Sequence, residues 1–488
     1  MNLKTLIQDV NSARIAGEFT DGWESVWVKG LTDDSRFVRE GDLFFCRVGR
    51  NFDTHQFAEE ARKKGAVAIV CERELDIRLP QILVDDGRLA MGLMAATFYG
   101  YPSRRLKVVG ITGTNGKTTT SHMLASILRE AGKSVGVIGT LGIYYGRKSI
   151  APELTTPDPI FLQKTLADMA QAGVEYAVME VSAHALYYKK DVSIRYEACI
   201  FTNFTQDHLD FFPSMQEYAE AKETLFTMKR CGVAILNGDD ALGRTIGESR
   251  ETGTFYYGID TPCDAFAIVE KDGVNNLEFV LNVFDDIGRC KLSMTGLHNV
   301  YNALAASACA RILGVPMSKI KQGLSALQGV KGRLEFSADV GGAKVFVDFA
   351  HTPDGLEKSL LALRKHTQGR LICLFGCGGN RDKAKRPMMG ETAGTLADFA
   401  VLTSDNPRYE DPMDIIADIE KGYRKRSNKY AIVPDREKAI EYAIEMLKTG
   451  DVLLVAGKGG ESYQEIMGIK YVLSDDDIIK KLAEGRER

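Results

Sequence analysis

The 488-residue sequence has no surplus of positive charge: 62 Lys and Arg stand against 66 Asp and Glu, a formal net charge of −4. Such a balance cannot neutralise a phosphate polymer, which excludes nucleic acid as the main partner. Cysteine is sparse. Its nine residues form no CxxC pair and have no companion His cluster, so reduced thiols are expected rather than a disulfide framework or a zinc site. No apolar run reaches the length of a membrane span, and the opening MNLKTLIQDVNSARIAGEF lacks the apolar stretch of a signal peptide. A cytoplasmic protein is expected. No repeat of solenoid period and no low-complexity tract occurs, so a stacked-repeat scaffold is unsupported.

What is present is a globular composition, 44% hydrophobic and 26% charged, in a chain long enough for three domains with a core each. Residues 1–105 carry short apolar runs, DLFFCRV at 42–48, AVAIVCE at 66–72 and ILVDD at 82–86, with a helical stretch from His55 to Lys64. They read as a small α/β domain. The segment Tyr99 to Arg105 breaks the pattern with turn formers and charge. From 106 to 332, apolar runs at 134–139, 175–181 and 197–202 alternate with helical stretches at 160–172 and 215–227, which predicts a doubly wound α/β domain on a parallel sheet. Residues 333–488 restart the alternation with AKVFVDFA, RLICLFG, FAVLTS, YAIV and DVLLVAG, a Rossmann-like α/β domain.

At the head of the middle domain, LKVVGI is followed by TGTNG and then by KTTTSHMLASILREAG, in the order strand, Gly-rich loop, helix. Glycines 110, 113 and 116 let backbone N–H groups converge on phosphate oxygens at a helix N-terminus. The loop Gly113, Thr114, Asn115, Gly116, Lys117, Thr118 and Thr119 is the predicted nucleoside-triphosphate site: Lys117 reaches the β- and γ-phosphates, and the Thr118 hydroxyl holds Mg²⁺. The strict GxxxxGK[ST] spacing needs Gly at 111, where Ile stands, so the loop is a variant. Glu180, ending the run EYAVME, stands where a metal-holding carboxylate emerges from such a sheet; an ordinary strand-end acid is the alternative. TNFTQDHLD at 202–210 brings His208 to a similar edge, as a metal ligand or a satisfied structural His.

The motifs GTNGKTTT, MEVSAHAL, FTNFTQDHLDFF, HNVYNALAA, GRLE, DFAHTPDGL, GCGGNRDKAKRP, DNPR and GKGGE occur in this order along nearly the whole chain. In that order the sequence resembles the Mur ligase family, in its muramoyl-tripeptide synthetase branch. The resemblance implies an ATP-dependent amide ligase of peptidoglycan precursor synthesis: ATP phosphorylates a carboxylate of UDP-N-acetylmuramoyl-L-alanyl-D-glutamate, and the amine of meso-2,6-diaminopimelate displaces the phosphate. Small molecules are then the partners, and a monomer is expected.

The resemblance also implies site roles. Lys117, Glu180, His208 and Lys222 would be catalytic. Thr118 and Glu180 would hold one Mg²⁺; His208 and a carbamoylated Lys222 would help hold a second. Without the resemblance, Lys222 reads as a solvated helix lysine. Asn302, Arg333, Asp348 and His351 would contact ATP, although Asn302 and Asp348 could equally cap or pack. Arg381, Asp405, Asn406, Arg408, Gly457 and Glu461 would bind diaminopimelate: Arg408 and Arg381 grip its distal carboxylate and Glu461 accepts from its distal ammonium. A surface ion pair is the plainer account of Arg408. Ser35 and Arg36, with Asp53, Thr54 and His55, would hold the UDP moiety. Thr155, Thr156, Ser182 and Lys190 would meet the muramoyl peptide.

Departures from the family pattern accompany these. Ala183, Tyr188 and Lys190 stand where relatives have Ser, Gln and Arg; Gly460 replaces a His, Phe349 replaces a Tyr, and GRNFDTHQF departs from GxxxDGHxF. Competing readings are the same chemistry with L-lysine or another diamino acid, a folylpolyglutamate-synthetase-like ligase, and a P-loop regulatory switch. Arg408 argues against the first, since a lysine would bring like charge to it. The N-terminal domain and DNPR argue against the second. The absence of an N-K-x-D motif removes the GTPase form of the third.

Overall fold

A computed structural model of the chain describes residues 1–16, 22–49, 52–151 and 153–486. Arg50 and Asn51 of the GRNFDTHQF segment lie outside the described residues. Packing divides the chain into two compact units, Met1–Gly110 with Ser134–Cys199 and Thr224–Gly232, and Ile111–Lys133 with Ile200–Glu223 and Val233–Arg488.

In the first unit a five-stranded sheet takes the order Arg14–Ala16, Gln81–Leu83, Ala68–Cys71, Asp42–Phe45, Gly30–Thr32. All neighbours are parallel except the first pair. Alternation decides its layers: Leu43 and Phe45 enter one core with Leu3, Leu6 and Met94, whereas Phe44 and Cys46 enter another with Ala58 and Ala61. The expected helix from His55 is a 3₁₀ turn, Thr54–Phe57, followed by Ala58–Lys63. Elsewhere in this unit Val135–Gly139 pairs in parallel with Tyr176–Glu180, and a hairpin, Gly142–Tyr145 and Lys148–Ile150, is added antiparallel at its edge.

In the second unit the sheet around Cys231–Asn237 and Thr254–Gly258 begins parallel and ends as an antiparallel meander, Ala265–Gly273, Asn276–Val283 and Asp286–Leu292. The parallel sheet expected for residues 106–332 rests on runs up to residue 202, and the meander adds antiparallel strands to it. The turns escape a sequence reading because Asn275, Phe284 and Asp285, none of them Gly, take positive φ. The six-stranded sheet of the C-terminal part runs Glu335–Val340, Ala343–Asp348, Val452–Ala456, Leu371–Phe375, Phe399–Leu402, Tyr430–Ile432. Only the first pair is antiparallel. Leu371, Cys373 and Phe375 face one core, Ile372 and Leu374 the other. A sheet covered on both faces leaves its carboxyl ends as the open edge, and Asp348, Asp405 and Gly457 follow or end three of those strands.

Candidate active site

The phosphate loop is built from the end of strand Lys107–Thr112 and the start of helix Lys117–Glu130. Gly113 has φ +146°, and a Cβ there would lie 1.9 Å from Thr202 Oγ1, so no side chain fits. The loop is pinned from beside: Thr114 N donates to Asn203 O at 2.8 Å and Asn115 N to Asn203 Oδ1 at 2.9 Å. Lys117 Nζ donates to the carbonyls of Gly113 and Thr114, 2.8 and 2.9 Å away, which holds its charge over the loop. Arg333 Nη2 donates to Thr118 Oγ1 at 2.9 Å, while its guanidinium stacks on the Phe349 ring, 4.3 Å from the centroid. Phenylalanine at 349 therefore supplies the stacking face without a hydroxyl.

Asn302 lies under this loop. Its Oδ1 accepts from Thr120 Oγ1 and its Nδ2 donates to Asn299 Oδ1, and it is buried at 6% exposure. Asp348 likewise spends its carboxylate locally, accepting from Leu334 N, Phe349 N and Ser359 Oγ. For both residues the packing and capping alternative describes their contacts.

The plainer account of Lys222 is corrected: it is not solvated but 1% exposed, on helix Met215–Glu223 with Nζ 4.5 Å from the Tyr218 ring centroid. Burial, reinforced by the Lys117 charge and opposed by Asp207 and Asp240, pushes its ammonium well below the ordinary lysine value. Asp207 is the buried centre of a cluster of two histidines and a lysine that the motifs did not single out. His208 Nε2 lies 3.4 Å away, His351 Nε2 3.5 Å and Lys385 Nζ 3.5 Å. Burial opposes its ionisation, yet His351, His208 and Lys385 hold the carboxyl well below the usual range. Asp354 is a second unforeseen contact, accepting from Asn115 Nδ2 at 2.9 Å.

The predicted amino-acid residues converge. A Cβ on Gly378 would meet Arg408 Nη1 at 2.9 Å and Arg381 Cγ at 3.6 Å, so the missing side chain makes room for two guanidinium groups. Arg408 is mostly buried, its Nε 3.2 Å from Glu465 Oε2 and its Nη1 donating to Gly379 O at 2.9 Å. It does pair with a carboxylate, but inside a cradle rather than on the surface. Partial burial and then Arg408 itself push the Arg381 guanidinium below its ordinary value, against Asp210, Asp207 and Glu465. Asp405 Oδ1 accepts from Asn406 N at 2.6 Å, and Asn406 Nδ2 donates to Glu461 Oε2 at 2.9 Å. Gly457 stands so close that a Cβ would lie 2.4 Å from Asp405 Oδ2. Gly460, in place of His, lies against Gly332, whose Cβ would fall 1.9 Å from its nitrogen.

Within the first unit Glu180 is 1% exposed. Its carboxylate accepts from Thr140 N and Thr140 Oγ1, both at 3.0 Å, and Thr140 Oγ1 lies 3.0 Å from Thr155 Oγ1. Thr156 Oγ1 donates to Glu180 O and accepts from Ser182 N, so four predicted residues share one hydrogen-bonded group. Ser182 also caps the short helix Ala183–Tyr187. Lys190 pairs with Asp158 at 2.8 Å beside a cavity of about 160 Å³ that Arg47, Arg88 and Tyr188 also line. Ser35 and Arg36 are not there: Ser35 is buried against Glu60, and exposed Arg36 pairs with Asp34. His55 is buried, its Nε2 accepting from Glu72 N. Arg47 and Arg88 were missed because isolated arginines carry no motif. Among the described residues no helix is long and apolar enough to cross a membrane.

Comparison with known proteins follows this geometry. Residues 28–99 match the Mur ligase family catalytic domain, 111–310 the Mur ligase middle domain, and 332–459 the Mur ligase glutamate ligase domain. The chain is 44% identical over 481 residues to UDP-N-acetylmuramoyl-L-alanyl-D-glutamate–2,6-diaminopimelate ligase 1 of Clostridium acetobutylicum, covering 98% of each chain. It is 40% identical over 490 residues to the like-named ligase of Geobacillus thermodenitrificans, covering 99% of each. A solved structure of a ligase of that name superposes with a TM-score of 0.69 at 30% identity, over 97% of this chain and 98% of the other.

Proposed function

The chain belongs to the Mur ligase family, and from that premise we propose that it is an ATP-dependent ligase adding meso-2,6-diaminopimelate to UDP-N-acetylmuramoyl-L-alanyl-D-glutamate. A carboxylate is a poor electrophile because oxide would have to leave. Transfer of the γ-phosphoryl group converts it to an acyl phosphate, from which phosphate leaves as the amine attacks. The loop amides, Lys117 and Arg333 are the groups suited to hold phosphate oxygens as charge moves between them.

Among the described residues no three His, Cys, Asp or Glu gather as a metal cage. Thr118 and Glu180 offer oxygen atoms of the kind Mg²⁺ takes, the remainder of its shell coming from nucleotide phosphates and water. Thr118 and Glu180 are the residues proposed to hold one Mg²⁺, and His208 with a carbamoylated Lys222 a second; when bound, Mg²⁺ would neutralise phosphate charge. Lys222 supports this as a buried amine whose charged form is disfavoured by burial and by Lys117: as the neutral amine it would take up CO₂, release a proton and become a carbamate, exchanging a repelling cation for a ligating anion.

The observation that carries the amino-acid specificity is the pair Arg381 and Arg408 converging at Gly378 beside Asp405, Asn406 and Glu461. Two guanidinium groups suit a chain end that carries a carboxylate. The remaining assignments, Asn302, Asp348 and His351 toward nucleotide and Thr155, Thr156, Ser182 and Lys190 toward the muramoyl peptide, belong to the same proposal. So do Ser35 and Arg36 toward UDP, domain limits at 105 and 332, and a cytoplasmic location. The test is amide formation and phosphate release with ATP, Mg²⁺ and the UDP-linked dipeptide, offering meso-diaminopimelate, L-lysine and L-ornithine separately. Turnover selective for diaminopimelate is expected. Preference for lysine would overturn the specificity, and no amide with any of them would overturn the function.

A further inference from the structure

Lys458 has no role among the assignments above, yet it is a charged group buried in the wall of the amino-acid cradle, its side chain 0% exposed. Its Nζ lies 3.1 Å from Glu461 Oε2 and 3.4 Å from Asn406 Oδ1, and it donates to the carbonyl of Tyr463. Asn406 closes the triangle, donating from Nδ2 to the same Glu461 oxygen at 2.9 Å and accepting from Glu465 N at 2.8 Å. Glu465 in turn pairs with Arg408. One oxygen of Glu461 thus carries two protein donors, and the quarter-exposed side chain keeps Oε1 for a ligand.

A buried ammonium about 3 Å from a carboxylate cancels most of that carboxylate's attraction for a third charge. An amino acid whose chain end bears only an ammonium would meet Arg381, Arg408 and a carboxylate already compensated. One whose chain end carries a carboxylate beside the ammonium gains from both guanidinium groups and needs Glu461 only as an acceptor. We propose that Lys458 is a specificity-determining residue, a built-in ammonium that cancels Glu461 and so turns the cradle toward amino acids with a distal carboxylate. This rests on the reading that the cradle receives the incoming amino acid.

The test compares kcat/KM for meso-diaminopimelate and L-lysine in the parent enzyme, Lys458→Met and Lys458→Met/Glu461→Gln, with KM for ATP measured in each. Lys458→Met is expected to narrow the preference about tenfold or more, with KM for ATP within about twofold, because Glu461 becomes an attractor for lysine's ammonium. The double variant removes both charges and should return the preference to within about threefold of the parent. It also serves if Lys458→Met alone fails to fold, since it leaves no unpaired buried charge. A double variant as narrowed as the single one, an unchanged preference in Lys458→Met, or KM for ATP rising together with that for diaminopimelate would each overturn the proposal. Absence of amide from the parent enzyme would instead strike the reading beneath it.

Discussion

Lys222 and Asp207 are buried titratable groups whose pKa values are both lowered, which disfavours the charged form of the lysine and favours that of the aspartate. In the unfolded chain Lys222 titrates near the ordinary lysine value of about 10.4; in the fold, burial and Lys117 lower it well below. Between those values the unfolded chain binds the extra proton, so stability falls as pH falls. With one proton at stake, the slope reaches about 1.4 kcal/mol per pH unit. Chemical denaturation between pH 7 and 10, in CO₂-free buffer, should show a steeper dependence for the parent than for Lys222→Met. Asp207 works the other way. Its folded value is depressed, so its contribution is present above about pH 3.9 and is lost as pH falls toward the folded value. Asp207→Asn leaves Lys385 and two histidines without their anion. It should cost about 3 kcal/mol in urea denaturation at pH 7, and equal stability of variant and parent would count against the cluster.

Elements meet closely where glycine permits it. The helices Lys385–Leu396 and Pro412–Tyr423 approach through Gly390 and Gly422: a Cβ on Gly422 would lie 1.8 Å from Pro387 O, and one on Gly390 2.1 Å from Ile419 O. The first of these helices carries Lys385 and follows directly on Arg381, so its position bears on both sites. Gly422→Ala should lower stability by about 1–3 kcal/mol, seen as a lower melting temperature, and raise KM for the amino acid more than KM for ATP. Equal rises would mean that the helix pair supports the fold without aiming the cradle. Helices and strands of this kind were readable from periodicity. The meander Ala265–Leu292 was not read as antiparallel, because Asn275, Phe284 and Asp285 turn the chain where glycine usually would.

For the whole molecule, nucleotide binding is linked to folding. Mg²⁺ with a non-hydrolysable ATP analogue at about 100 times its Kd should add roughly 2.7 kcal/mol to whichever unfolding transition contains the phosphate loop. Calorimetry should show that transition rise, and Lys117→Met, which removes the charge over the loop, should remove most of the rise. Sequence alone determined the α/β alternation, the Gly-rich loop between strand and helix and the family likeness, and it named the residues proposed for the amino-acid cradle, because these depend on neighbours along the chain. Tertiary structure decided which charges are buried and with whom. Lys222 reads as a surface lysine until its helix is packed, Asn302 and Asp348 acquire hydrogen-bond partners on neighbouring segments, and Lys458 meets Asn406, and Asp207 meets His351 and Lys385, from segments far along the chain. Desolvation and pairing energies are set by the surroundings in space, and no local pattern of residues encodes them.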